Sequence, residues 1–177
     1  MKNRIFIFFL PLFFIACQQP NSPSTQRVTR IDTVFTQAYF TQYGHYYQGL
    51  DCEVLSLDFY SDGLSLNGDT IEGTGTNLYL SDVFVPANQL EAAEYKVDTT
   101  AAVHTALSGM SFEGRVTGAY LLLVNDSQVE KIYLFPTGTF IVWYEDELCN
   151  VEFHLVTPDQ QTYDAVYRGF PHYITRE

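Results

Sequence analysis

Apolar residues alternate with polar ones in short runs along most of this chain, and turn residues separate the runs at intervals of roughly ten residues. Leu55, Leu57 and Phe59 fall on one side of such a run, and Leu78 with Leu80 on one side of another, which Asp82 and Pro86 are expected to end. Five runs fill the last third, at 119–124, 129–135, 139–144, 151–156 and 162–168. Between them lie Asn125-Asp126-Ser127, Pro136-Thr137-Gly138, Glu145-Asp146-Glu147 and Pro158-Asp159-Gln160, all turn chemistry. The pattern predicts a C-terminal antiparallel meander. Its core face takes Ile132, Leu134, Phe140, Val142, Tyr144, Val151, Phe153 and Leu155, while Trp143, Glu152 and His154 point away. Only 101–107, with its alanines and leucine, favours a short helix, and 91–93 a single helical turn.

The chain is therefore expected to be all-β: an antiparallel β-sandwich with a C-terminal meander, or alternatively a lipocalin-like closed barrel. Composition supports strands, since aromatic residues make up 16% against only 17% charged.

The first residues follow a different rule. Lys2 and Arg4 precede an apolar run from Ile5 to Ile15, broken only by Pro11, and Ala16 then leads to Cys17. A run of about eleven apolar residues is too short for roughly 30 Å of hydrocarbon and has the order of a secretory signal. Phe14-Ile15-Ala16-Cys17 resembles the lipobox of bacterial lipoproteins, with Phe14 where an aliphatic residue is usual. The resemblance implies removal of 1–16, acylation of Cys17, and a bilayer as partner. Several acyl chains hold a protein to a membrane where one would not. Residues 17–29, with two prolines, three glutamines and no apolar period, are expected to form a flexible tether, and 30–177 a single β domain. Gln18, in place of the aspartate that retains some lipoproteins at the inner membrane, makes the outer membrane the expected site, facing periplasm or cell surface.

Loss of Lys2 and Arg4 with the signal takes the formal charge from −12 to −14. Between Asp32 and Val166 the basic residues are Lys96, Arg115 and Lys131, too few to neutralise a phosphate backbone. Nucleic acid is thereby set aside. With Cys17 lipidated, Cys52 and Cys149 remain, as a disulfide permitted by export or as two buried thiols.

No Gly-x-Ser-x-Gly, His-Glu-x-x-His, Cys-x-x-Cys or phosphate-binding glycine loop with lysine occurs. His45, His104, His154 and His172 are far apart in sequence, and no catalytic residue, metal or cofactor is assigned. Asp58, Asp62, Asn67, Asp69 and Glu72 offer oxygen ligands of the kind Ca²⁺ takes, yet they lack the spacing of an EF-hand and read as turn formers.

Tyr43, His45, Tyr46 and Tyr47 crowd a stretch in which alternation cannot bury two adjacent rings on one face, so at least one ring should reach solvent. Aromatic faces stack on sugar rings while phenols bond hydroxyls, and Trp143 offers another platform. The Tyr-rich first segment, Gly73-Thr74-Gly75-Thr76-Asn77-Leu78-Tyr79-Leu80, the late meander and the closing Tyr167-Arg168-Gly169 are similar to small all-β envelope lipoproteins of Gram-negative bacteria. The function expected is a non-catalytic envelope module binding a glycan or other small polar ligand. The alternatives are an accessory subunit of an envelope protein complex and, third, a hydrolase.

Overall fold

The computed structural model describes residues 31–68, 70–87 and 89–176, so the signal, Cys17 and the tether lie outside the described residues. Among the described residues fifteen strands follow one another: β1 (Ile31–Gly44), β2 (Glu53–Ser61), β3 (Leu64–Asn67), β4 (Thr70–Gly73), β5 (Gly75–Val85), β6 (Glu94–Asp98), β7 (Thr105–Leu107), β8 (Met110–Phe112), β9 (Arg115–Thr117), β10 (Ala119–Asn125), β11 (Gln128–Leu134), β12 (Thr137–Glu145), β13 (Leu148–Val156), β14 (Thr162–Gly169) and β15 (His172–Thr175). No helix occurs among the described residues.

The protein is all-β, and its main sheet closes into a barrel rather than splitting into the two sheets of the expected sandwich. The ring runs β1–β2–β5–β7–β6–β12–β13–β14 and returns to β1. Alternation along each strand is the same in a sandwich and a barrel; what differs is which edges meet, and two long strands decide it here. β5 pairs with β10 through Gly75–Leu80 and then, past a bulge, with β7 at Val83↔Ala106 and Phe84↔Thr105. β1 pairs with β14 in its first half and with β15 in its second. Two pairings in the ring, β1 with β14 and β6 with β7, are parallel, so this is not an up-and-down barrel.

The bulge lies at Ser81-Asp82. Leu57 faces Leu80, but Leu55 faces Val83, and Asp82 takes a left-handed φ of 51°. Inserting residues this way turns the strand and keeps Leu80 and Val83 both inward. Asp82 therefore bends β5 where it was expected to end it.

The expected five-strand meander divides. β10 and β11 form a hairpin outside the ring on β5, the chain crosses at Pro136, and β12–β13–β14 is the meander proper. Phe140, Val142, Val151, Phe153 and Leu155 are buried as the alternation requires. Ile132, expected in the core, is 43% exposed because β11 is an outer edge strand, and Tyr144 is exposed at the end of β12. Residues 105–107, expected to be helical, instead form β7, whose pairing to both β5 and β6 completes the ring and overrides the alanine preference. Residues 91–93 run into a bend at Ala92 and Ala93 rather than a helical turn.

Aromatic rings fill the barrel. Phe59 lies 5.0 Å from Phe153 and 5.4 Å from Tyr167, and Tyr95 stacks on Phe140 at 4.8 Å, all five being buried. Burial of each such ring is worth roughly 1.5–3 kcal/mol. The interior is thus a packed core, and the recesses open on the outer wall.

Candidate tyrosine-walled groove

Because alternation commits Leu55, Leu57 and Phe59 to the core, Ser56, Asp58 and Tyr60 project from the outer face of β2. Pairing then lines up one residue from each of four strands. Tyr39 of β1 stands opposite Asp58 of β2, Asp58 opposite Tyr79 of β5, and Tyr79 opposite Tyr120 of β10. All four side chains are half-buried. A carboxylate thus sits in mid-sheet with tyrosines on both flanks.

Walls rise around this row. On one side the β3–β4 hairpin contributes Leu66 and Ile71, packed with Tyr60, Leu64 and Val124. The Ser127 hydroxyl accepts from the Gly73 N–H at 3.0 Å and the Ser127 N–H donates to the Gly73 carbonyl at 2.8 Å, so this hairpin is tied to the β10–β11 turn. On the other side β15, held to β1 from Tyr39 to Gln42, brings Ile174 and, just beyond its end, Arg176. The recess between these walls holds about 290 Å³. A second cavity of about 230 Å³ adjoins it through Tyr43, Ser56 and Tyr79, and adds Tyr46, Tyr47, Ser81 and Asp82. The two form one open groove with a carboxylate in each half.

Asp58 is held from two sides. The Tyr60 hydroxyl donates to Oδ2 at 2.6 Å, and the Asn77 amide donates to Oδ1 and, at 3.1 Å, to the Phe59 carbonyl. Burial pushes the Asp58 carboxyl up to about 6, against the two hydrogen bonds that favour its charged form. Burial likewise raises the phenols of Tyr60 and Tyr79, and that of Tyr120 to about 12. In the second cavity burial, then the Asp82 charge, raise Tyr47 to about 12. Near neutral pH the groove therefore offers the phenolic O–H groups of Tyr47, Tyr60, Tyr79 and Tyr120 beside the Asp58 carboxyl.

Of the residues expected at a binding site, Tyr43, Tyr46 and Tyr47 are brought together on this groove. The crowding is relieved as alternation demanded: Tyr46 reaches solvent and Tyr47 packs on Phe84 at 5.9 Å. His45 is part of the same turn, but its ring engages the Cys52 carbonyl at 3.3 Å and Glu53 at 3.6 Å. Trp143 lies on β12, separated from β1 by β13 and β14, and belongs to another wall of the barrel. Asp58, Tyr79, Tyr120 and Asp82 were not anticipated. By composition Asp58 reads as a turn former, but its place between Leu57 and Phe59 makes it the outward residue of a strand.

The remaining expectations resolve separately. His104 pairs with Glu91 at 3.5 Å, His154 with Asp164 at 2.7 Å, and the His172 ring stacks on Tyr39 at 5.1 Å, so the histidines do not converge. Asn67 donates to Glu72 at 3.0 Å across the β3–β4 hairpin, and among the described residues no group of three His, Cys, Asp or Glu side chains gathers as for a metal. Cys52 and Cys149 are free and buried apart, the first with Val54 and Phe84 and the second in the main core, so the disulfide expected as one of two possibilities is not formed. Set against family models, curated proteins and solved structures, the chain matches none.

Proposed function

We propose that this protein is a non-catalytic binding module of the bacterial envelope, lipid-anchored at Cys17 to the outer membrane, and that the outer-wall groove receives a glycan or another small polar ligand. The observation that carries the reading is the register row Tyr39–Asp58–Tyr79–Tyr120, extended by Tyr43, Tyr46 and Tyr47. Rings supply flat apolar faces for a sugar, while Asp58, Asn77, Ser56 and the phenols supply the hydrogen bonds that fix its orientation. An open groove on a rigid sheet suits a chain that runs through it.

A glycan array probed with the parent domain, Tyr43→Ala and Tyr79→Ala tests this. Saturable binding weakened by about tenfold in either variant supports the reading, and an array with no bound glycan removes it. Intact mass of the envelope-purified protein tests the anchor: acylated Cys17 as first residue is expected, and an unmodified different first residue contradicts it.

A second reading, an accessory subunit of an envelope complex, is favoured by the β8–β9 hairpin, whose Phe112 is 70% exposed, and by the outer edge of β11. Phe112→Ser would then weaken association with the complex while leaving the groove intact.

A further inference from the structure

We infer that the ligand of this groove carries an ammonium group, with Asp58 as its counter-ion, an amino sugar being the class that fits both features. The inference rests on the proposed binding role of the groove and deepens it.

Asp58 lines the larger cavity, and its flanking residues in register, Tyr39 and Tyr79, are tyrosines. Tyrosine rings attract cations through their negative faces, so a carboxylate set among them makes a seat for positive charge rather than for an anion. The two donors that hold Asp58, Tyr60 and Asn77, take one oxygen each. An ionised carboxylate has about four acceptor positions, which leaves room for a third and fourth donor from a ligand.

Among the described residues, no cation pairs with Asp58. Arg176 lines the same cavity from the end of β15, but no ion pair joins it to Asp58. A half-buried carboxylate with neutral partners costs stability, as its raised protonation range records. A bound ammonium removes that cost and a neutral hydroxyl does so only in part. The second half of the groove repeats the arrangement, with the Asp82 carboxylate lined up with Tyr43, Tyr46, Tyr47 and Tyr79. The net charge of −12 draws cations toward the surface as a whole.

The charged groups lining the two halves are Asp58, Asp82 and Arg176, and burial raises the phenols of Tyr47, Tyr60, Tyr79 and Tyr120, so these stay neutral through the range in which Asp58 titrates. Binding of an ammonium should therefore weaken as pH falls through about 6.

The test is calorimetric titration near pH 7 with a glucosamine tetramer and with its fully N-acetylated counterpart, which keeps the rings and removes the charge. The glucosamine tetramer is expected to bind at least about tenfold more tightly. Asp58→Asn should abolish that preference, whereas Glu152→Gln, which removes one charge from the exposed outer face of β13, should keep it. Equal or tighter binding of the acetylated tetramer, or a preference that survives Asp58→Asn, overturns the inference. So does binding of neither tetramer, and the glycan array then tells the two readings apart: neutral glycans bound leave the groove's role standing, and none bound removes both.

Discussion

The Tyr60 hydroxyl donates to the Asp58 carboxylate at 2.6 Å from two residues further along the same strand, so a single strand supplies both the acid and one of the groups that aims it. Residues i and i+2 share a face of a strand, and Asn77 opposite Tyr60 on β5 completes the grip. The groove is thus built on the rigid wall of the barrel, with turns contributing only its rim.

Asp58 sets a pH dependence of stability. Its folded value of about 6 lies above the ordinary value near 3.8, so between these limits the folded state holds a proton that the unfolded state has lost. Stability is then greater at low pH within that window and declines as pH rises to about 6, by no more than about 3 kcal/mol for this group. Asp58→Asn removes the group, so its melting temperature should gain on the parent between pH 4 and 7. Parallel pH profiles for the two proteins would contradict this.

Phe59 is the keystone of the ring cluster, touching Phe35, Phe40, Phe153 and Tyr167 with centroids 5.0–5.8 Å away. Phe59→Ala should cost about 3–5 kcal/mol in urea unfolding at unchanged slope. A loss under about 1 kcal/mol would mean the barrel interior is not packed as described.

Two glycines at the β8–β9 excursion should respond differently to alanine. Gly114 and Gly118 share a φ of 77°, but a Cβ on Gly114 meets open space while one on Gly118 would lie 2.0 Å from the Ser108 carbonyl oxygen. Gly114→Ala should cost about 1 kcal/mol from its left-handed backbone alone, and Gly118→Ala several times that because backbone must move. Equal melting temperatures for the two variants would refute this contrast.

Much of the barrel is legible in the sequence because alternation is local. Leu55, Leu57, Phe59, Val151, Phe153 and Leu155 face the core where period two places them. Closure is not legible, since it depends on a left-handed Asp82 and on a three-residue β7 that carries helix-favouring alanine. The groove was half legible. Tyr43, Tyr46 and Tyr47 announce themselves by crowding, whereas Tyr39, Asp58, Tyr79 and Tyr120 come from four separate strands and become neighbours only through register. Trp143 shows the converse: an outward aromatic residue is visible in sequence, but which wall it occupies is not.

Cys52 and Cys149 should behave as inert thiols. Both are buried, and burial raises both, Cys149 to about 11, which keeps the reactive thiolate scarce. In the isolated domain, two thiols should be alkylated after unfolding without reductant and neither rapidly before. A domain that yields no thiol until reductant is added would contradict the separation of the two clusters.

The outer wall formed by β1, β2, β5 and β10 is the proposed ligand-binding surface. Amide chemical-shift mapping during titration with an array-selected glycan tests it most directly. The largest shifts are expected at Tyr43, Ser56, Asp58, Asn77, Tyr79 and Tyr120, with Trp143 and its β13 neighbour Asn150 unmoved. Shifts concentrated around Trp143 on β12, or confined to the Phe112 hairpin, would contradict it.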